Sequence, residues 1–360
     1  MSRLGDIGKI ITGNTPKTSD ALNYSSNDIC FVKPSDILDG EITVITDSEF
    51  YISNYARDKA RMLPPKSVLV TCIGIIGKVA INNVECAFNQ QINAIVPDTT
   101  KCLTEYLAYA IQNKQKEMQN IANAPVVPIL NKTQFSDIEI SLPSIELQSQ
   151  IVAKIGYIDK LISLRKQQLS KLDELVKSRF IEMFGDYRIN NKGFECKKGS
   201  ELFKFSSGKF LSEEKRLESG IPVYGGNGIA WYTEEALIDF STIIIGRVGA
   251  QCGNIHAVTT PVWITDNAIY IKEQKIKAYT LEFLTELMQM MDFYQYADFS
   301  GQPKITQKPL ETLEYIMPPI ELQREYTAFV EQIEKSKLAI KKSLEKLETL
   351  KKSLMQKYFE

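Results

Sequence analysis

Leu142-Pro143-Ser144-Ile145-Glu146-Leu147-Gln148 returns 175 residues later as Met317-Pro318-Pro319-Ile320-Glu321-Leu322-Gln323. Each copy stands just ahead of a long stretch with a sustained heptad pattern. After the second copy, Tyr326, Val330, Ile333, Lys337, Ile340, Leu344, Leu347, Lys351, Leu354 and Tyr358 alternate steps of four and three. The first-copy counterparts are Ile151, Ile155, Ile158, Ile162, Arg165, Leu169, Leu172, Val176, Arg179 and Met183. Apolar residues hold eight of the ten positions in each stretch, which is a coiled-coil seam. Pro143, Pro318 and Pro319 precede the helices, where proline is tolerated, and Gly156 is an interior exception. Two seams in one chain most simply pair with each other. Arg165, Arg179, Lys337 and Lys351 interrupt them at non-equivalent positions and so bear on register.

Working outward, the rest of the chain repeats too. Asn93-Ala94-Ile95 matches Asn267-Ala268-Ile269 at an offset of 174, and the glycine-bearing run from Val68 to Val79 resembles that from Thr242 to Ile255. The expected organisation is a tandem duplication of a mixed α/β domain followed by a long helix, an α+β fold. Its expected segments are 1–143, a helix over 144–186, a second domain over 187–317 and a helix over 318–360. Val68–Thr71 and Thr242–Ile245 read as buried strands, and Leu103–Gln119 and Leu281–Tyr296 as helices.

Composition excludes several functions. The 360 residues carry 43 basic and 44 acidic groups, a net charge of −1, which argues against gripping nucleic acid by bulk charge. No run approaches the ~20 apolar residues of a membrane span, and no secretory signal opens the chain. The six cysteines are scattered without a CxxC pair and read as reduced thiols. A single histidine, His256, leaves little room for a His-based metal site or triad. No GxxxxGK[ST] loop, GxSxG elbow or Asn/Asp-Pro-Pro-aromatic tetrapeptide occurs. The residues favour binding over catalysis.

The binding candidates are polar, glycine-rich loops in comparable places of the two domains. The first supplies Asn14, Thr15, Lys17, Lys33, Ser35, Arg57, Lys59 and Arg61; the second supplies Lys209, Tyr224, Asn227, Arg247, Gln302 and Lys304. Arginine and lysine suit guanine edges, Asn and Gln suit adenine, and hydroxyls suit phosphate. The helix-pairing residues are Ile151, Ile155, Ile158, Ile162, Leu169, Leu172, Val176, Val330, Ile333, Ile340, Leu344, Leu347 and Leu354.

The whole chain resembles the specificity (S) subunit of type I restriction–modification systems. The resemblance runs through Leu4-Gly5-Asp6-Ile7, Gly13-Asn14-Thr15-Pro16, Phe31 to Ile37, the Gly74/Gly77 turn and Gln91 to Ile95. It continues through Leu142-Pro143 with Leu147-Gln148, Ile221 to Gly225, Ile245 to Gly249 and Pro318 to Gln323. It implies two target recognition domains, each reading one half of a split site in double-stranded DNA. It also implies that the two long helices pair antiparallel, set the gap and dock two methyltransferase (M) subunits. Two motor/nuclease (R) subunits would complete the complex. S-adenosylmethionine, ATP and Mg are expected on those partners alone, no metal or cofactor on this non-catalytic chain, and a cytoplasmic, bacterial or archaeal setting. A specificity protein of a fused restriction–methylase system, and a coiled-coil scaffold without DNA, are the competing readings.

A helix from Leu147 to Phe184 would span roughly 57 Å, about 17 base-pair rises. The second domain has a lead-in, Gly193 to Phe203, whose counterpart before Leu4 is largely missing. Segments 144–186 and 319–360 hold 7 basic and 6 acidic, and 9 basic and 7 acidic residues. The recognition domains are therefore slightly acidic, and the isolated chain is expected to bind DNA weakly.

Overall fold

The structure, a computed structural model, describes residues 1–122 and 127–359. Two compact units partition the chain: Met1–Leu164 with Ser343–Glu360, and Arg165–Lys342. Both boundaries fall inside the long helices. Each unit thus contains one globular part and a stretch of both helices, so the four segments expected from sequence separate element types rather than compact bodies.

The first unit begins with β1 (Ser2–Arg3), α1 (Leu4–Ile7) and β2 (Gly8–Thr12). There follow β3 (Ile29–Val32), β4 (Ile42–Ile45), β5 (Tyr51–Ile52), β6 (Met62–Leu63), β7 (Val68–Thr71), β8 (Val79–Asn82), β9 (Cys86–Phe88) and β10 (Ile92–Pro97). The expected helix over Leu103–Gln119 is broken at Lys114 into α2 (Thr104–Asn113) and α3 (Gln115–Ile121). Then come α4 (Lys132–Ser136), β11 (Glu139–Ile140) and the 40-residue α5 (Ile145–Phe184). The sheets run β2-β10-β7-β8-β4, β5-β3-β9-β6 and β1-β11. β7 is buried at every position because it is covered on both faces. Val68 and Val70 point into the core with Tyr106 and Leu107 of α2, while Leu69 points into a second core with Val32 and Phe88.

The second unit repeats this plan. After α5 come β12 (Glu195–Lys198), α6 (Gly199–Leu202), β13 (Phe203–Ser207), β14 (Ile221–Gly225), β15 (Gly228–Thr233), β16 (Thr242–Gly246), β17 (Ile255–Val258), β18 (Trp263–Ile264) and β19 (Ala268–Gln274). Next are α7 (Leu281–Met290), α8 (Gln307–Thr312), β20 (Glu314–Met317) and the 40-residue α9 (Ile320–Phe359). The sheets are β13-β19-β16-β17, β15-β14-β18 and β12-β20. The lead-in is accounted for: β12 pairs with β20 over four residues, and two-residue β1 pairs with β11 in the same way.

One repeat is corrected in register. Gly13 N donates to Ile92 O, and Gly208 N donates to Ala268 O. Cys72 N likewise donates to Gln91 O, and Arg247 N to Asn267 O. Asn267 is therefore equivalent to Gln91, not to Asn93. Side chains alternate with period two along a strand, so a slip of two residues leaves the apolar pattern intact and the false match plausible.

All twenty seam positions are shielded from solvent to some degree. Within the first unit, Lys351 Nζ meets Asp159 Oδ1 at 2.7 Å and Lys154 Nζ meets Tyr358 OH at 3.4 Å. Within the second, Lys337 Nζ meets Asp173 Oδ1 at 2.6 Å and Arg179 Nη2 meets Glu325 Oε1 at 2.9 Å. In each unit the partner number falls as the α5 number rises, so the helices run antiparallel. Three of the four charged seam residues thus have a carboxylate on the opposite helix. Arg165 instead donates to Gln168 of its own helix.

The repeated stretch that precedes each helix has a physical role. Gln148 is fully buried: its Oε1 accepts from Leu103 N, and its Nε2 donates to Lys101 O and Pro143 O. Gln323 is also fully buried and repeats the pattern with Thr280 N, Ala278 O and Pro318 O. One amide thereby satisfies three backbone groups and fixes the helix start against the globular part.

Candidate nucleic-acid interface

The hydrogen bonds by which the two units correspond also gather the candidate loops of the second unit at one end of its sheets. In the second unit, Lys209 N donates to Ile264 O and Thr265 N to Tyr224 O. Arg247 N reaches Asn267 O, its own carbonyl accepts from Ile305 N, and Gly249 N donates to Pro303 O. The loops carrying Lys209, Asn227, Arg247, Gln302 and Lys304 are therefore laced together by backbone bonds. Gly246 and Gly208 permit the closeness. A Cβ on Gly208 would lie 2.1 Å from Thr265 O, and one on Gly246 2.3 Å from Gln251 O.

The side chains of this end are mostly uncommitted. Among the described residues, Lys209, Arg247, Lys304 and Lys308 form no ion pair; Arg247 Nη1 makes one 3.3 Å bond, to Asp266 O. A cavity of about 330 Å³ opens here, lined by Ser207, Arg247, Ile269, Thr306, Gln307 and Lys308. Ser207 belongs to the Ser206–Lys209 loop singled out in the sequence, whereas Thr306, Gln307 and Lys308 carried no signal there; Gln307 Nε2 meets Ser207 Oγ at 3.5 Å where α8 packs against β13. Asn227 is exposed at the β14–β15 turn, while Tyr224 is half-buried beside His256, with ring centroids 6.1 Å apart. His256 is held below its ordinary pKa by burial, against the opposing effect of its hydrogen bond to the Gly226 backbone.

The first unit brings its candidates together differently. Asn14 Nδ2 donates to Lys59 O at 2.8 Å, and its Oδ1 accepts from Arg61 N at 2.7 Å. Its amide is spent on stitching the loop after β2 to the strand β6 approach. Arg57 grips both oxygens of Glu85 at 2.6 and 2.7 Å. Lys59 pairs with Asp20 at 2.9 Å and lies 3.6 Å from the Tyr55 ring centroid; its hydrogen bond is the main cause of the lowered Asp20 pKa. Lys33 sits 3.1 Å from the Phe50 ring centroid. Thr15 Oγ1 bonds to Gln90 Oε1, and Arg61 Nη1 to Thr12 O. Lys17 and Ser35 are exposed and have no side-chain hydrogen bond among those described. Asn14→Ala is accordingly expected to lower stability by about 1–2 kcal/mol, from two lost bonds to backbone. It should leave the ratio of cognate to non-cognate DNA affinity unchanged, as denaturation and competition binding would show.

No helix among the described residues is long and apolar enough to cross a membrane. The family model for the type I restriction modification DNA specificity domain matches residues 1–174 and again 191–352. The chain is 24% identical over 358 residues to the type I restriction enzyme EcoprrI specificity subunit of Escherichia coli, covering 92% of this chain and 86% of that protein. It is 28% identical over 227 residues to the MjaIX specificity subunit of Methanocaldococcus jannaschii, covering 58% of this chain and 52% of that one. A crystal structure of the type I restriction–modification S subunit from M. genitalium superposes with a TM-score of 0.65 at 17% identity, covering 99% and 95% of the two chains. The duplicated domain, the paired helices and the two-fold match to the family model agree: the chain belongs to the type I restriction modification DNA specificity family, as a DNA-recognition chain rather than a catalyst.

Proposed function

We propose that each unit reads one half of a bipartite site in double-stranded DNA through the loop end of its sheets. The observation that carries this is the cluster of uncommitted Arg247, Lys209, Lys304, Lys308 and Gln302 side chains on a backbone-laced platform. These groups are suited to base edges and phosphates. The long helices hold the two readings at a fixed gap and dock two methyltransferase subunits, and two motor/nuclease subunits join for restriction. S-adenosylmethionine, ATP and Mg belong to those partners, and the complex works in the cytoplasm. With recognition domains that are slightly acidic overall, tight binding needs the partners' positive surface. Footprinting of the chain with its methyltransferase partner tests this. Two protected patches separated by an unread gap are expected, and the isolated chain should protect neither at physiological salt. One continuous patch, or full protection by the isolated chain, would contradict it.

A further inference from the structure

The same structural position carries opposite chemistry in the two units. Gly74 N donates to Pro128 O as Gly249 N does to Pro303 O, and both glycines have positive φ, 79° and 86°. Leu130 N donates to Cys72 O as Ile305 N does to Arg247 O. Ile73 bridges Ile129 as Val248 bridges Lys304. Cys72 therefore stands where the second unit has Arg247, Ile129 where it has Lys304, and Val127 where it has Gln302.

In the first unit this loop pair presents hydrocarbon to solvent: Ile75 is 58% exposed, Ile129 51% and Val127 44%. The loop is held from behind, because Gln115 and Gln119 both donate to Ile76 O. Buried Asn93 occupies the position equivalent to Ile269, accepting from Thr12 Oγ1 at 2.6 Å and donating to Leu130 O at 3.1 Å. Among the described residues, the Asn93 amide is committed inside, and the exposed groups of this loop pair, Ile75, Val127 and Ile129, offer a base methyl contact in place of hydrogen bonds.

Any base pair pressed against these side chains would lose hydrogen bonds to water without replacement, so only a base that offers an apolar group gains in return. Thymine alone among the bases offers a methyl group in the major groove. We infer that the first unit reads thymine methyl groups through Ile75, Val127 and Ile129, whereas the second reads hydrogen-bonding edges through Arg247, Gln302 and Lys304. The inference rests on the proposal that this end of each unit faces DNA.

The test uses the chain with its methyltransferase partner and a DNA site whose halves are assigned by domain exchange. Replacing thymine by deoxyuridine in the half read by the first unit removes only methyl groups. Each contacted methyl should change affinity roughly fourfold, and the same replacement in the other half should change nothing. Ile75→Ala with Ile129→Ala should bring the thymine-to-uracil affinity ratio close to one. Specific binding that is indifferent to uracil in that half would overturn the inference while leaving bipartite recognition intact. So would loss of methyltransferase docking in Ile75→Ser with the ratio preserved, which would make the patch a protein interface. Absence of any site-specific binding by the unmodified complex would overturn both readings.

Discussion

Phe180→Ala will destabilise the second unit by about 3–5 kcal/mol, the largest effect expected of any single helix substitution. Phe180 lies on α5 and is fully buried. Its ring stacks on Phe283 of α7 with centroids 5.4 Å apart, and it meets Phe184 at 4.9 Å and Tyr326 of α9 at 5.5 Å. One side chain thus joins both long helices to the globular part. Truncation leaves a cavity among three aromatic rings that cannot collapse into it. In thermal unfolding, the transition of this unit should drop on the order of 10 °C. Leu175→Ala, on an exposed position of the same helix, should shift stability by no more than about 0.5 kcal/mol. Equal effects of the two would mean that the helix is a detached spacer and not part of the unit's core.

Arg247→Ala will relax discrimination at one base position in the half-site read by the second unit, at a cost of about 1–3 kcal/mol, roughly 5- to 150-fold in affinity for the cognate site. The backbone of Arg247 is fixed on both sides, by Asn267 O and by Ile305 N, so truncation changes the side chain without moving the loop. Competition binding against single-base variants of the site reads the effect. A uniform loss across all sequences, with a shallower salt dependence, would instead make Arg247 a phosphate contact. Asn14→Ala provides the contrast within the other unit, because that amide is committed to Lys59 O and Arg61 N.

The helices were the most legible part of this chain. Their seam follows from spacing alone, and every seam position is at least partly shielded from solvent. What spacing could not show is that the helices are divided between the units. Ile151, Ile155, Met355 and Phe359 complete one core, and Val176, Phe180, Phe184, Tyr326 and Ile333 the other. That depends on antiparallel pairing, which heptad positions do not specify without their charge partners. Asp173 and Asp159, which pair with Lys337 and Lys351, lie beside the seam rather than in it.

The candidate loops were legible as places and less so as chemistry. Glycines and polar residues marked the loops, since sharp turns and close backbone approach require such residues. Whether a given side chain faces outward or serves its own loop depends on partners far away in sequence. Arg57 finds Glu85, Lys59 finds Asp20, and Asn14 finds the backbone of Lys59 and Arg61. The apolar loop of the first unit carried no polar signal, and its position emerged from hydrogen bonds shared with Gly249 and Ile305.

Exchange of residues 1–143 for the corresponding domain of another family member tests modular, bipartite recognition most directly. Methylation-aware sequencing of the host DNA then reads the modified motif. The two-unit account predicts that one half of the motif changes, while the other half and the gap between them stay the same. A motif changed in both halves, or in neither, would contradict it.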